Sequence, residues 1–209
     1  MNTSPGSPVD LGVAAFIALL VAVGVARLAE MRLSRRHQRT LAGEGARLLP
    51  EPGFPFMVAL HTAVLVGAGV EVLVGRRPFV PAIGIPAALV FVLANALRIW
   101  VIRSLAGHWN VRVVDSASLG VVSTGPFRWI RHPNYLAVFL ELLALPLIHG
   151  AYLTAVLGAL AHLAVLARRI RLEERVLEAS PTYRAAMSHK PRFLPRLPGR
   201  PMGQSEPMR

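Results

Sequence analysis

The stretch GPFRWIRHPNY at positions 125–135 lies at the border between a polar loop and an apolar segment. It holds a glycine–proline turn, two arginines, a histidine, an asparagine and a tyrosine. Polar groups crowded at the edge of a membrane are costly unless they bind something. The stretch therefore predicts a binding site at a membrane surface.

The composition indicates an integral membrane protein. The chain has 209 residues, of which 54% are hydrophobic and 16% are charged, a balance that is rare in soluble domains of this length. The net charge of +12 comes almost entirely from arginines between apolar runs, which is typical of loops beside membrane spans and does not favour a nucleic-acid partner. The absence of cysteine excludes disulfides, thiol nucleophiles and thiolate metal sites.

Apolar runs predict an all-α integral membrane protein with about five transmembrane helices. The three longer runs are long enough to cross a hydrocarbon core, and the last two read as a helical hairpin turning at His149-Gly150. The first run could instead be a signal peptide, but it lacks a basic leader. The five predicted spans are 11–28, 54–74, 80–102, 135–148 and 151–167.

Loop charges predict an N-terminus outside and a C-terminus in the cytoplasm. The loop 27–53 holds six arginines against three glutamates and the region after 168 is basic, whereas the first ten residues contain no basic residue. Only Arg76 and Arg77 fall on the opposite side. Because arginine and alanine are abundant and lysine occurs once, we expect a bacterial inner-membrane protein.

Three regions follow from this pattern. Residues 1–104 hold the first three spans, and 105–194 hold the polar stretch, the hairpin and a cytoplasmic helix extension that should break near Ser180-Pro181. The tail from Pro191 is rich in proline and arginine, so we expect partial disorder there and assign 195–209 as a disordered tail.

A glycine-rich segment at 66–71, VGAGVE, superficially resembles a dinucleotide-binding loop. It lacks the third glycine and lies inside an apolar run with no βαβ unit around it. Its small residues instead indicate close approach of two transmembrane helices.

The local sequence predicts how the polar stretch is shaped. Gly125 and Pro126 form a turn, and Pro133 keeps His132 out of the fourth helix. We expect Asn134 to cap that helix, whose positive end favours an anionic group.

The fifth helix supplies a second set of charges. Arg169 and Glu173 share one helix face, and so do Arg171 and Glu174. In a hairpin this helix end returns beside 131–135. Interface anchoring and solvated salt bridges would explain each part separately, but their coincidence at adjoining helix ends favours a site.

Together these motifs resemble the isoprenylcysteine carboxyl methyltransferase family. The resemblance rests on STGPFRWIRHPNY at 123–135, RIRLEE at 169–174 and Tyr183, and it covers about 105–194. Related membrane phospholipid N-methyltransferases share this core. The resemblance implies methyl transfer from S-adenosyl-L-methionine to a lipid-borne acceptor, without a Rossmann domain.

Site residues follow from the resemblance. It implies catalytic roles for Arg169, Glu173 and His132, with Arg169 facing the acceptor, and it leaves open whether Glu173 or Glu174 is the main cofactor carboxylate. The role of Arg112 is also open, because those enzymes have a polar amide there. The implied cofactor contacts are Leu119, Gly120, Val121, Val122, Phe127, Arg131, His132, Pro133, Asn134, Tyr135, Glu173 and Glu174.

Three ionisable residues lie at predicted membrane depth. Glu141 should either pair with Arg98 or contact the polar head of the acceptor. His61 and His162 are expected to form interhelical hydrogen bonds, and no metal site is predicted.

The expected partners are the bilayer and a lipophilic small-molecule or lipid acceptor. A carboxylate or acidic hydroxyl on a molecule such as a long-chain polyketide is favoured, since prenylated proteins are not expected in a bacterium. An acceptor carboxylate needs orientation by an arginine, whereas a hydroxyl needs a base, for which His132 or a glutamate is the candidate. Phospholipid N-methylation, a non-catalytic membrane scaffold and a reductase on a related core are the alternatives, and the oligomeric state is left open.

Overall fold

The computed structural model describes residues 8–115 and 120–195. This part of the chain contains two short 3-10 turns, at Ala106–His108 and Gly125–Arg128. Its helices are α1 Pro8–Gly43, α2 Phe54–Gly75, α3 Pro81–Leu105, α4 Pro133–Leu147, α5 Tyr152–Leu177 and α6 Pro181–Met187, and its strands are β1 Arg47–Leu48 and β2 Val114–Asp115.

The predicted helical membrane fold is confirmed. Helices α1, α2, α3 and α5 are long and apolar enough to cross a membrane. Helix α4 has 15 residues, which span about 22 Å against a hydrocarbon core of about 30 Å. The predicted fourth span is therefore a shorter apolar helix, packed between α3 and α5.

Small residues bring the helices together, as the 66–71 segment predicts. A Cβ on Gly67 would lie 3.3 Å from the Oγ1 of Thr154 on α5. A Cβ on Gly158 would lie 2.7 Å from a methyl group of Val64. Helices α2 and α5 therefore approach closely along a stripe without room for larger side chains.

The hairpin between α4 and α5 is confirmed. The turn closes at Gly150, whose φ of +74° lies in the left-handed region that favours glycine. Helix α5 then continues to Leu177, and the Oγ of Ser180 accepts a hydrogen bond from the backbone N–H of Tyr183 at the start of α6. The predicted break at Ser180-Pro181 is thus confirmed.

Helix α1 is longer than predicted. The predicted span ends at 28, but the helix continues to Gly43 and takes up much of the predicted basic loop. The reason is local, since 29–42 contains no glycine or proline and several strong helix formers. The extension packs inward through the buried Ser34 and Leu41.

A short antiparallel pairing of β1 with β2 was not predicted. Arg47 pairs with Asp115 and Leu48 with Val114. Two residues on each side are too few to show strand periodicity in a sequence. The pairing ties the loop before α2 to the segment after α3.

The first residues of the tail, for which partial disorder was expected, are hydrogen-bonded to the polar stretch. The backbone N–H of Arg131 donates to the carbonyl of Pro191 at 2.9 Å, and that of His132 donates to the carbonyl of Arg192 at 3.0 Å. Residues 196–209 lie outside the described residues. The division of the chain at 104 and 105 stays a prediction.

Candidate active site

Two cavities meet at the end of the α4–α5 hairpin. A polar cavity of about 170 Å³ lies between the 105–135 segment and the end of α5. An apolar cavity of about 380 Å³ lies among the helices. Asn134, Tyr135 and Arg169 line both cavities, so these three side chains form the border between a polar and an apolar compartment.

Most residues implied by the resemblance line the polar cavity. Leu119 lies outside the described residues, and Glu174 is not among the described residues of the cavity wall. Those that do line it are Gly120, Val121, Val122, Phe127, Arg131, His132, Pro133, Asn134, Tyr135, Arg169 and Glu173.

Backbone geometry places the polar stretch against this cavity. Gly125, with φ of +58°, begins the 3-10 turn that carries Phe127. His132 precedes the first residue of α4 with non-helical angles, as Pro133 predicts. Its ring is buried and stacks on Tyr135, with ring centroids 5.3 Å apart.

Asn134 does not cap α4, contrary to the prediction. The helix begins at Pro133 after His132, which occupies the cap position without a side-chain hydrogen bond. Asn134 is thus the second helical residue, and its buried Oδ1 has no hydrogen-bond partner among the described residues. A buried acceptor of this kind needs a partner, and this one lies on the wall of both cavities.

Glu174 fixes the end of the polar stretch through contacts with His132 and Arg131. Its Oε1 lies 3.0 Å from the Nε2 of His132 and 3.2 Å from an Nη of Arg131. Arg192 donates to both carboxylate oxygens, at 2.9 and 2.6 Å. With its acceptor sites taken by protein donors, Glu174 orients His132 and Arg131.

Glu173 is the carboxylate that faces the polar cavity. It accepts a hydrogen bond from the hydroxyl of Tyr135 and lies 4.0 Å from the Nδ1 of His132. Tyr183 lines the same cavity, and burial, together with the nearby Glu173, raises the pKa of its phenol to about 12. The phenol of Tyr183 therefore remains a neutral hydrogen-bond donor. Of the two glutamates that the resemblance leaves open as the main cofactor carboxylate, Glu173 is therefore the one that the geometry favours.

Arg169 is held at the border of the cavities. Its Nε donates to the hydroxyl of Tyr135 at 3.0 Å and lies 3.4 Å from Glu51, and one Nη donates to the carbonyl of Val111. The other Nη contacts the Sδ of Met57 at 2.7 Å, and a thioether is a weak acceptor. That Nη is therefore the donor best placed to bind an oxygen in the apolar cavity.

The predicted helix faces are confirmed, since α5 runs unbroken through 169–174, but among the described residues neither face holds an ion pair between its arginine and its glutamate. The described partners of Arg169 come from other elements and do not include Glu173, and those of Glu174 do not include Arg171. Glu51 was missed, because it lies more than 100 residues from Arg169 in the sequence. The β1–β2 pairing brings it there, and the N–H of Val113 donates to it at 3.3 Å.

Arg112 lines the polar cavity, with its guanidinium 5.1 Å from the centroid of the Phe54 ring. This contact is a cation–π geometry. It ties the segment before β2 to the start of α2.

An ion quartet lies beside the apolar cavity, with Arg98 and Glu141 buried and Arg27 and Glu30 partly buried. The predicted pairing of Glu141 with Arg98 is confirmed at 3.6 Å, and Glu141 also accepts from Arg27 at 3.1 Å. Glu30 pairs with Arg27 at 2.7 Å and with Arg98. Arg27, Glu30 and Arg98 line the apolar cavity, and Glu141 lies behind them.

His61 and His162 face each other, but the predicted interhelical hydrogen bonds are wrong. Their ring centroids are 5.4 Å apart across α2 and α5. The Nε2 of His61 and both ring nitrogens of His162 are buried without a hydrogen-bond partner among the described residues. In the part of the chain that the structure describes, no three histidine, aspartate or glutamate residues are grouped as metal ligands.

Long apolar helices, together with a polar and an apolar cavity that share three lining residues, define a helical membrane protein with a two-compartment site. The model of the isoprenylcysteine carboxyl methyltransferase (ICMT) family matches residues 87–179. The chain is 32% identical over 163 residues to the uncharacterized protein YpbQ of Bacillus subtilis, covering 78% of this chain and 94% of that one. The chain therefore belongs to the ICMT family and is a membrane methyltransferase.

Two further comparisons agree with this membership. An uncharacterized protein of Haemophilus influenzae is 28% identical over 152 residues, covering 72% of this chain and 88% of the relative. The structure of the eukaryotic intramembrane Ras methyltransferase ICMT has the same fold, with a TM-score of 0.59 at 19% identity. That match covers 87% of this chain and 64% of the eukaryotic one.

Proposed function

We propose that the protein transfers a methyl group from S-adenosyl-L-methionine to a carboxylate or acidic hydroxyl of a lipophilic acceptor. The observation that carries this proposal is that Asn134, Tyr135 and Arg169 line both the polar and the apolar cavity. A soluble donor and an apolar acceptor, each bound in its own cavity, would meet there.

The residues of the polar cavity suit this donor. When bound, S-adenosyl-L-methionine supplies a methyl group activated by a sulfonium cation. The rings of Phe127 and Tyr135 offer aromatic faces that attract a cation, and the carboxylate of Glu173 offers acceptors for ribose hydroxyls or an amino group. The unpartnered Oδ1 of Asn134 adds another acceptor at the border.

Arg169 suits an acceptor that carries negative charge. A carboxylate is ionised at neutral pH, so it needs orientation rather than a base, and an arginine fork provides that orientation. An acidic hydroxyl would lose its proton to Glu173 or His132. In either case, alignment of the two reactants and exclusion of water account for most of the catalysis.

The bilayer supplies the acceptor in this proposal. The apolar cavity is lined by side chains such as Met57, Val58 and Leu166, which suit a hydrocarbon chain that enters from the membrane. The donor enters from the cytoplasm, and the N-terminus lies outside, in agreement with the loop charges. We place the protein in a bacterial inner membrane.

Calorimetric titration of the detergent-purified protein with S-adenosylhomocysteine tests the donor site. We expect saturable binding with one site per chain. An absence of heat, with the protein folded, would favour the membrane scaffold over the enzyme. Replacing Arg169 by alanine then separates the acceptor classes, because a phospholipid amine does not need a guanidinium and its methylation would continue.

A further inference from the structure

The apolar cavity contains a pair of polar side chains that the proposed methyl transfer does not use. His61 on α2 and His162 on α5 both line it. His162 is 3% exposed, and neither of its ring nitrogens has a hydrogen-bond partner among the described residues. Burial of an unpartnered polar group is costly, so a partner from a ligand is expected.

The charge around the pair indicates a neutral ligand group. Arg27 and Arg98 lie on the same cavity wall, but the carboxylates of Glu30 and Glu141 balance both of them within the quartet. The quartet therefore adds no net charge that would attract an ion to this part of the cavity. A neutral imidazole has one donor and one acceptor nitrogen, so a single hydroxyl between the rings can donate to a nitrogen of one histidine and accept from a nitrogen of the other.

The place of the pair along the cavity is fixed by α5. His162 lies seven residues before Arg169 on this helix, which is about 10 Å along the axis and nearly the same helix face. A chain with its reacting group at Arg169 would thus pass His162 after about 10 Å.

We propose that His61 and His162 form a hydroxyl-binding subsite for the middle of the acceptor chain. The acceptor is then an apolar chain with a second, neutral oxygen function and not a plain hydrocarbon tail. This inference rests on the proposed function, because it takes the reacting end of the chain to lie at Arg169.

Competition binding without any methyl donor tests the subsite. The purified full chain in nanodiscs is incubated with tritiated hexadecanoic acid, and displacement of the label is measured with a series of hexadecanoic acids that carry one hydroxyl at different positions of the chain. We expect the compounds with a mid-chain hydroxyl to bind about three to ten times more tightly than those with the hydroxyl near either end, which corresponds to one hydrogen bond.

Three variants make the result specific. His162→Leu should abolish the preference for a mid-chain hydroxyl while hexadecanoic acid still binds, and His162→Gln, which keeps a donor and an acceptor, should retain part of it. His149→Leu is the matched control, because His149 is also buried with an unpartnered nitrogen but lies at the α4–α5 turn outside the cavity.

Equal affinity for all hydroxyl positions would overturn the proposal, and so would an unchanged preference in His162→Leu or a failure of every probe to bind. Because the binding assay contains no methyl donor, its result is independent of methyl transfer. A mid-chain preference in a protein that transfers no methyl group would remove the proposed function and leave the subsite standing.

Discussion

The two cavities are built in different ways, although they share three side chains. The polar cavity is held by a dense set of hydrogen bonds and ion pairs around Glu174, in which a few neighbouring residues fix one another. The apolar cavity is bounded by side chains from α1, α2, α3, α4 and α5, about half of them apolar. Binding in the polar cavity should therefore depend on single residues, whereas binding in the apolar cavity should depend on the shape of the cavity.

The largest expected effect comes from the residue that links both cavities. Arg169→Ala should lower turnover at saturating donor by about a hundredfold, because the acceptor loses its orientation, while binding of S-adenosylhomocysteine changes little. The measurement is label transfer from S-adenosyl-L-methionine to lipid extract, alongside calorimetry.

Two further variants control that experiment. Arg168→Ala removes an exposed arginine from the same helix turn and should leave turnover unchanged. Since Arg169→Ala leaves Glu51 without its cation, Arg169→Lys keeps the charge and tests the fork geometry. Full turnover in both Arg169 variants would mean that the acceptor lies elsewhere.

Within the polar cavity, His132→Ala should weaken S-adenosylhomocysteine binding by about tenfold, because it removes a cavity wall and the stacking partner of Tyr135. Glu174→Gln should act in the same direction by releasing His132 and Arg131. His189→Ala, at an exposed position, is the matched control. Normal binding by both site variants would show that the donor lies in another place.

Acceptor binding in the apolar cavity should depend on the free volume of that cavity. Val58→Trp fills part of the cavity wall, and we expect the KM for the acceptor to rise about fivefold, since the acceptor chain loses room and packing. Binding of S-adenosylhomocysteine should not change. Val66→Trp places the same side chain on an exposed face of α2; an equal rise in KM there would mean that the cavity is not the acceptor site.

The smallest effect is expected at the edge of the polar cavity. Arg192 is about half exposed and donates to Glu174 through two nitrogens, so Arg192→Ala should weaken donor binding by only about threefold. Arg184→Ala provides a comparison at an exposed position of α6. A larger loss than in His132→Ala would place the tail, and not His132, at the centre of the site.

The same contrast explains what could be predicted from the sequence. About half of the residues that line the polar cavity come from 120–135 and 169–173, and these could be recognised as short motifs beside apolar runs. Others, such as His108, Trp109 and Asn110, carry no such motif and were missed. The pairing of Arg98 with Glu141 was also predictable, because a lone carboxylate in an apolar helix needs a cation.

Features set by long-range contacts could not be predicted. Glu51 reaches Arg169 through a pairing of two residues per strand, and Pro191 returns to Arg131 through backbone groups that every residue possesses. The unpartnered state of His162 depends on what packs around it, and a one-dimensional pattern does not contain that information.

Mass spectrometry of lipid extracts incubated with deuterium-labelled S-adenosyl-L-methionine tests the central claim most directly, with wild-type protein and Arg169→Lys compared. We predict that wild-type protein places the labelled methyl group on an oxygen of an apolar molecule, and that the variant forms far less of this product. Label on a phospholipid amine, or no labelled product from a protein that binds S-adenosylhomocysteine, would contradict the account.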